Sequence, residues 1–356
     1  EFTIDCDNNI DVEIIKLNMY QEPFIQSYNI NNRKIITWKG FYLKELENEE
    51  FQPDKRYFAP HFIPVIKKYK INDIYVNVLS DVSSLYKWYY NLIANYNLNS
   101  DVSKIKNTVK DLTKDCKDEY EKVKKIYYWV QENIKYIAFE YGYGGFIPRP
   151  PEIIFNNKFG DCKDKSALLK TMLNIEGINA YFTWIGTNDI PYSYSEVYTP
   201  LADNHMIITY ISPDSNYYFL DATGYQQPIE LPTSFIQNKE ALIAIDENKY
   251  LISKVPIVPS FENIFYDSIE FIVDGTRLRG KGLLKTRGYY KVNIINTTYS
   301  LQPKDKKELI SKILEKGNNK FQILDFNINY NPYEIDNITT YECIIDNYIS
   351  KDGKNI

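Results

Sequence analysis

The spacing of apolar residues changes near residue 82, and this change limits the possible folds more than any other feature of the chain. Before it, apolar and β-branched residues alternate or run together, as in Val12 to Leu17, and prolines interrupt them. Over residues 82–137 apolar residues instead recur at helical spacing, which predicts two or three helices. Strand-like segments return in His205 to Ile211 and in Tyr217 to Asp221. The chain is therefore predicted to be an α+β protein.

The length of 356 residues exceeds the usual size of a domain with a single core, so we expect two or three domains. We place a β-rich domain at residues 1–100, a core of helices followed by antiparallel strands at 101–250, and a second β-rich domain at 251–356. The last domain is predicted to contain a hairpin that turns at Asp274-Gly275 and one short helix, Lys304 to Lys316.

Charge and hydropathy exclude several classes of partner. The net charge of −5 gives no support for binding the phosphate backbone of nucleic acids. No apolar run approaches the roughly 20 residues that a membrane-spanning helix needs. The given chain carries no visible targeting segment, because its start lacks a basic stretch followed by an apolar one. The sequence does not specify an oligomeric state.

The cysteines point away from a metal site and from a disulfide framework. There are four of them, Cys6, Cys116, Cys162 and Cys343. They are far apart and none belongs to a CxxC pair, so we predict no zinc site, no metal and no cofactor. One of them can therefore be a free working thiol.

The residues around Cys162 suggest a thiol at the start of a helix. Gly160 permits a tight turn, and Asp161 can cap a helix that begins at about Cys162. A thiol there faces the positive end of the helix dipole, which favours the thiolate nucleophile. The unpaired backbone N–H groups of the first turn can also stabilise an oxyanion. A buried cysteine without a chemical role is the alternative at this point.

A histidine and an aspartate are spaced so that they can meet on one face of a hairpin. The chain has only two histidines, and a cysteine nucleophile needs a base. If the turn at 212–216 folds the flanking strands symmetrically, His205 lies opposite residues 221–223 and shares the parity of Asp221. Such a carboxylate would orient the imidazole, as in a catalytic triad. Alternatively, His205 is a satisfied residue at a strand end and Asp221 caps the turn at 221–224.

The stretch 140–151 is rich in glycine and proline and is predicted to be a loop. Its glycines match neither the dinucleotide fingerprint nor the P-loop. It is either a plain connector or a loop that lines a substrate cleft. In the second case Tyr143, Gly144 and Gly145 are the candidate substrate-binding residues.

Several short motifs resemble, in their order along the chain, the transglutaminase-like superfamily. They are Trp129 to Tyr136, Gly160 to Ser166, Gly177 to Ala180, Asn204-His205 and Leu220 to Thr223. More narrowly, they are similar to bacterial proteins in which such a core lies between two domains of unknown function, numbered 3857 and 3858. The resemblance implies a papain-like core between two β-rich, sandwich-like domains, of which the N-terminal one is shortened.

The resemblance also implies a chemistry. It makes Cys162 the nucleophile, His205 the general base and later acid, and Asp221 the orienting carboxylate. The expected reaction is acyl transfer through a thioester on a peptide or protein substrate, with water or an amine as acceptor. The resemblance does not choose between transamidation and hydrolysis. Similar bacterial proteins are usually exported, so the periplasm or the cell surface is the expected location.

Some features of related enzymes have no assigned counterpart. Gln131, Tyr136 and Tyr143 are candidates for the side chain that completes an oxyanion hole, and the sequence does not choose among them. Lys163, Asp164 and Lys165 are expected near the site, although Lys165 or Asp164 could equally be paired surface charges. His61 is interpreted as a structural residue. The competing class of function is a non-catalytic binding or scaffold module that keeps the fold.

Overall fold

The computed structural model describes residues 1–40, 49–98, 100–138, 141–331 and 333–349. The N-terminal part is built from strands, as predicted: β1 (Phe2–Asp7), β2 (Ile10–Leu17), β3 (Phe24–Ile30), β4 (Arg33–Lys39), β5 (His61–Ile71) and β6 (Ile74–Asn77). They form two antiparallel sheets, in the orders β1-β4-β3 and β2-β5-β6. Prolines 23, 53 and 60 lie between these strands, where they interrupt no hydrogen-bond ladder.

The helices predicted from the change of spacing are present. They are α1 (Val82–Ile93), α2 (Ser103–Thr113) and α3 (Glu119–Asn133). The apolar residues that gave the helical period are their buried face, as in Leu85 and Tyr89 of α1. Asp81 and Asp118 precede α1 and α3 and accept hydrogen bonds from the backbone of the first turn. No helix in the described part of the chain is long and apolar enough to cross a bilayer.

The segment that follows carries the thiol. It comprises β7 (Lys135–Tyr136), a short 3-10 helix Gly142–Gly145, α4 (Pro151–Asn157), β8 (Phe159–Gly160) and α5 (Cys162–Ile175). β7 and β8 pair in parallel and bring the end of α3 beside the start of α5. Most of the predicted loop, residues 140–151, is irregular. Its first residue, Glu140, lies outside the described residues.

A five-stranded antiparallel sheet is the platform of the core. Its strands are β9 (Ala180–Ile185), β10 (His205–Ile211), β11 (Tyr217–Leu220), β12 (Glu240–Asp246) and β13 (Lys249–Lys254). Their order is β11-β10-β9-β12-β13, so β10 lies between β9 and the short β11. One face contributes Phe182 and Ile208 to the largest hydrophobic cluster, together with Leu169 of α5. Burial of α5 against this face fixes its first residue near the beginning of β10.

The C-terminal part contains two helices where one was predicted. Its elements are β14 (Phe265–Asp274), β15 (Arg277–Thr286), α6 (Tyr289–Thr298), α7 (Pro303–Leu314), β16 (Phe321–Ile328) and β17 (Asn337–Ile345). The sheet order is β14-β15-β17-β16, and the predicted hairpin turns at Gly275, whose φ is +66°. The predicted short helix is α7. The prediction missed α6 because its tyrosine, asparagine, isoleucine and threonine residues are poor helix formers on their own.

The C-terminal part has a cluster of buried residues of its own, distinct from the larger cluster in the rest of the chain. The larger cluster joins the central core to Ile63 and Val65 of β5, while Leu284 and Tyr341 belong to a cluster in the C-terminal part. The N-terminal strands therefore share buried contacts with the central helices. The domain limits at residues 100 and 250 stay a prediction.

Candidate active site

Cys162 is the first residue of α5, as the sequence predicted. Asp161 is the N-cap residue, and its side chain accepts a hydrogen bond from the backbone of Asp164 at 3.2 Å. The Asp164 side chain in turn accepts one from the backbone of Asp161 at 3.2 Å. This reciprocal capping box forces the helix to begin at Cys162. The half-buried thiol therefore lies at the N-terminal end of α5, where the first backbone N–H groups have no partner within the helix.

Gly160 is required because the position has no room for a side chain, not because the backbone makes a tight turn there. It does not have a positive φ, in contrast to the tight turn expected from the sequence. A Cβ atom at this position would lie 2.7 Å from the Cβ of Asp164. Gly160 also pairs with Tyr136 across the parallel β7–β8 ladder. The absent side chain lets the capping box and this ladder approach each other.

His205 and Asp221 meet as the hairpin register predicted. β10 and β11 are antiparallel, with Ile208 opposite Leu220. Continued toward the start of β10, the same register puts His205 opposite residue 223 and gives Asp221 the same face. The Nε2 atom of His205 lies 2.9 Å from Oδ2 of Asp221. The two side chains form a hydrogen-bonded pair.

The charges of this pair stabilise each other. Burial would lower the pKa of His205, but the charge and the hydrogen bond of Asp221 outweigh it and raise this pKa to about 10. Burial would raise the pKa of Asp221, but His205 and hydrogen bonds from Thr223 lower it to about 2. At neutral pH the pair is therefore an imidazolium beside a carboxylate.

Cys162 is the third partner of His205. Cys162 lies close enough to His205 to contribute, after Asp221, to the raised pKa of this histidine. Asp221 occupies Nε2 of His205, so Nδ1 is the ring nitrogen that Asp221 leaves open. The three residues picked out from the sequence are thus brought together, although 43 residues separate the first two along the chain.

Two threonines that the sequence analysis did not single out hold Asp221 in place. Thr223 donates to Oδ1 from its backbone at 3.0 Å and from its hydroxyl at 2.6 Å. The hydroxyl of Thr233 donates to Oδ2 at 2.9 Å. The hydroxyl of Tyr127 binds the Asp221 carbonyl at 2.9 Å. The turn at 221–224 gave a local signal for Thr223, whereas Thr233 and Tyr127 approach from distant segments.

Residues 163–165 are not surface charges, and that sequence-based alternative is wrong. Lys163 forms a buried ion pair with Asp161. Arg149 binds Asp164 with its backbone N–H at 2.8 Å and its guanidinium at 2.7 Å. Lys165 is 1% exposed and donates to the carbonyl of Ile134 at 2.6 Å. Burial lowers the pKa of Lys165 to about 8, against the charge of Asp221. The partners of Asp164 and Lys165 come from distant segments, Arg149 and Ile134, so local spacing could not reveal them.

A cavity of about 1100 Å³ opens beside His205. It is lined by Tyr136, Thr187, Asp189, Asn204, His205, Thr223, Gly224, Gln227, Thr233, Ser234, Phe235, Asn263, Tyr289, Tyr290, Val292, Asn293 and Asn296. Its walls come from the central core and from α6. It exceeds most small-molecule pockets, which have about 300–1,000 Å³, so it has room for a segment of a polymer.

The earlier candidates for substrate and oxyanion contacts occupy different places. Tyr136 lines the cavity, whereas Gln131 is tied to the backbone of Gln227 at 2.7 and 3.1 Å. Tyr143, with 73% of its surface exposed, Gly144 and Gly145 are not among the described residues that line it. Their contact with a substrate stays a prediction.

Neither His61 nor a metal site adds to this arrangement. Both ring nitrogens of His61 are engaged, Nδ1 with the carbonyl of Ala59 at 2.7 Å and Nε2 with the hydroxyl of Tyr192 at 2.6 Å. This agrees with the structural role expected for His61. Within the described ranges, no group of three or more His, Cys, Asp or Glu side chains is placed to hold a metal ion.

Comparison with known proteins gives the core a family and a fold. Residues 106–222 match the transglutaminase-like superfamily, so the chain contains a transglutaminase-like domain there. The match includes Cys162, His205 and Asp221 and leaves the flanking parts outside, whose likeness to domains 3857 and 3858 stays a prediction. No curated protein matches the chain.

Two solved structures are similar to the chain at low sequence identity. A "putative protease" from Parabacteroides distasonis ATCC 8503 matches with a TM-score of 0.53 and 10% identity, over 97% of this chain and 65% of that one. The chain thus spans less than two thirds of that protein, and the likeness is one of fold. A "putative cysteine protease" from Cytophaga hutchinsonii matches with a TM-score of 0.28 and 14% identity, over 62% of this chain and 71% of that one.

Proposed function

We propose that this chain is a thiol enzyme that cleaves or transfers an amide acyl group of a peptide or protein substrate. The observation that carries the proposal is the position of His205 between Asp221, 2.9 Å from Nε2, and the thiol of Cys162. A nucleophile, a base and a carboxylate in this order are the parts of a catalytic triad. The transglutaminase-like domain supports the same class of chemistry.

The geometry suggests how the reaction would proceed. The thiolate of Cys162 attacks the carbonyl carbon, and the negative charge that develops on the oxygen is stabilised by the first N–H groups of α5. The imidazolium of His205 gives its proton to the departing amine, and a thioester remains on Cys162. Water or an amine then loses a proton to His205 as it attacks the thioester. The sulfur leaves as a thiolate, which restores the starting pair.

The surroundings of α5 suit this role because they fix the first turn of the helix that carries the thiol. Asp164 is bound both by Arg149 and by the capping box, so the segment before α4 is fastened to the first turn of α5. Lys165 fastens the end of α3 to the same turn through the carbonyl of Ile134. Rigid support of this kind keeps a nucleophile within reach of its base.

Alkylation of the four cysteines tests the proposal without knowledge of the substrate. The protein is treated with iodoacetamide at pH 6, and the rate at each cysteine is read by mass spectrometry of peptides. We expect Cys162 to react at least about tenfold faster than Cys6, Cys116 or Cys343, since only an activated thiol is largely ionised at this pH. His205→Ala should remove the difference. His61→Ala, the control at the second histidine, should preserve it.

Two results would contradict the proposal. One is a rate at Cys162 no higher than at the other cysteines. The other is a fast rate that His205→Ala leaves unchanged, because the imidazole would then not activate the thiol. Either result would favour a binding or scaffold module that keeps the fold alone.

A further inference from the structure

The cavity beside His205 is closed on one side by a helix from outside the transglutaminase-like domain. Tyr289, Tyr290, Val292, Asn293 and Asn296 all line it, and all belong to α6. These residues are either neighbours in sequence or three or four positions apart. They therefore form one continuous face of the helix. The opposite wall contains His205 and Asn204 from the core. The site thus includes a surface that the family match does not cover.

The position of α6 over the cavity is fixed by contacts on both sides. Its far face is packed into the C-terminal part through the buried residues Ile294 and Ile295. Toward the core, the hydroxyl of Tyr289 donates to the carbonyl of Pro232 at 2.8 Å. The side chain of Asn296 accepts from the backbone of Tyr225 at 3.1 Å. Because Tyr225 and Pro232 lie between Asp221 and Thr233, which donates to its carboxylate, α6 is registered against the loop that holds this carboxylate.

Two side chains of α6 are available to a ligand. Tyr290 is 47% exposed, and Asn293 is exposed as well. The side-chain amide of Asn293 makes no hydrogen bond to any residue that the structure describes, whereas Asn296 is engaged with Tyr225 and Val292. An amide offers both donors and acceptors, and a tyrosine offers an aromatic face and a hydroxyl.

The remaining lining favours an uncharged polar ligand. Apart from His205, Asp189 is the one charged side chain among the described lining residues, and the rest are amides, hydroxyls and aromatic rings together with Val292 and Gly224. Such groups match the alternating N–H and C=O groups of a peptide main chain. The absence of lysine and arginine from the described lining argues against a phosphorylated or strongly acidic ligand.

The cavity contacts His205 and not Cys162, and this contact indicates which part of the substrate it would bind. His205 lines the cavity, and Cys162 does not. The amine that leaves takes its proton from the imidazole, and an amine that attacks the thioester gives its proton to the same group. Both must therefore lie on the imidazole side. The acyl group, which is bonded to the sulfur, lies on the other side.

We infer that the Tyr290 and Asn293 face of α6 is the binding site for the amine side of the substrate. Its ligand is the polypeptide segment whose nitrogen leaves during acylation or attacks during aminolysis. The inference rests on the proposed function. In aminolysis the new C–N bond forms, the C–S bond of the thioester breaks, and the proton of the amine passes to His205. The sulfur departs as the thiolate, so no further reactant is needed.

A partitioning experiment tests the inference with defined probes. The whole chain is acetylated at Cys162 with p-nitrophenyl acetate, and the burst of p-nitrophenolate is recorded with Cys162→Ala as the blank. Glycinamide or triglycinamide is then added, and the N-acetylated products are quantified. Both probes attack through the α-amino group of a glycine, and only triglycinamide extends along the cavity. We expect triglycinamide to capture the acetyl group about tenfold more efficiently, the effect of roughly one good hydrogen bond.

Variants of α6 show whether that preference comes from its exposed face. Asn293→Ala and Tyr290→Ala should each lower the triglycinamide to glycinamide ratio by about threefold. Thr297→Ala is the matched control, since Thr297 is an exposed residue of α6 that does not line the cavity. Melting temperatures identify any variant that is misfolded, and each cavity variant serves as a check on the other.

The outcomes separate this inference from the proposed function. A burst in the wild type with a ratio near one, or a ratio that both α6 variants leave unchanged, would overturn the assignment of α6 and leave the thiol chemistry intact. The lack of a burst at Cys162 would overturn the proposed function, and with it the inference that rests on it. A ratio that falls equally in Thr297→Ala would show a general effect of the helix and would also overturn the assignment.

Discussion

Replacing Asp221 with asparagine removes the negative charge beside His205 while it keeps the shape of the side chain. In the wild type this charge raises the pKa of His205 to about 10, although burial acts in the opposite direction. Without the charge, burial is the largest influence and is opposed only by the smaller contributions of Cys162, so the pKa should fall below the ordinary value of 6.5. At neutral pH the imidazole of Asp221→Asn is then neutral, and the thiol of Cys162 loses its cationic neighbour.

The size of the effect follows from the difference between these two pKa values. A fall from about 10 to below 6.5 corresponds to at least about 5 kcal/mol of lost stabilisation of the imidazolium. The acylation of Cys162 by p-nitrophenyl acetate should accordingly slow by roughly a thousandfold, as expected when the carboxylate of a triad is lost. In Asp221→Asn, the side chain at position 221 can accept only part of the hydrogen bonds from Thr223 and Thr233, because its amide nitrogen cannot accept a hydrogen bond.

The small number of histidines makes the titration directly measurable. The chain contains only His61 and His205, so His61→Gln leaves one imidazole signal for NMR. In that background we expect the ring of His205 to titrate near pH 10, and below pH 6.5 once Asp221→Asn is added. Asp203→Asn is the control. Asp203 is also a buried carboxylate close to His205 in sequence, but it is bound by the hydroxyls of Tyr89 and Tyr194 instead.

The shifted pKa values of His205 and Asp221 also fix the sign of a pH effect on stability. A raised pKa at His205 contributes stability that is complete below pH 6.5 and fades as the pH rises through about 10. A lowered pKa at Asp221 contributes stability that is present above pH 3.8 and fades as the pH falls through about 2. The wild type should therefore exceed Asp221→Asn in unfolding free energy most clearly between these limits. A His205 that still titrates above pH 9 in Asp221→Asn would refute the account.

Two further predictions concern the support of α5. Gly160→Ala should lower the free energy of unfolding in urea by about 1–3 kcal/mol and slow the alkylation of Cys162, because its Cβ would lie 2.7 Å from that of Asp164. Gly224→Ala is its control, with the nearest atom at 3.8 Å, and equal stability of the two variants would contradict the explanation. Arg149→Met should cost about 3 kcal/mol in the same assay by leaving the buried carboxylate of Asp164 unpaired. Adding Asp164→Asn should then recover part of the loss, and no recovery would show that the ion pair is not the cause.

The features that the sequence predicted are those set by neighbours along the chain. Asp161 precedes a helix-forming run, and this local order was enough to predict that α5 begins at Cys162. The turn at 212–216 joins two short strands, so simple parity placed His205 and Asp221 on one face. In both cases the physical cause acts over a few residues.

The features that were missed depend on segments far apart in sequence. Lys165 was left open as a surface charge because its partner, the carbonyl of Ile134, is 31 residues away. Thr233 reaches Asp221 from beyond the turn, and α6 carries no strong helical signal of its own. Tertiary contacts can override weak local preference, and one sequence does not reveal them.

The order of the site along the chain has a consequence for biosynthesis. Cys162, His205 and Asp221 all precede residue 225, whereas the α6 wall lies at residues 289–296. A ribosome delivers the N-terminal part first, and domains commonly fold as they emerge. The thiol, the imidazole and the carboxylate would then be assembled while the cavity is still open along one side. A nascent chain in this state would expose its thiol before it could select a polypeptide through α6. Selection of the substrate would then begin only after the last third of the chain has been synthesised and folded.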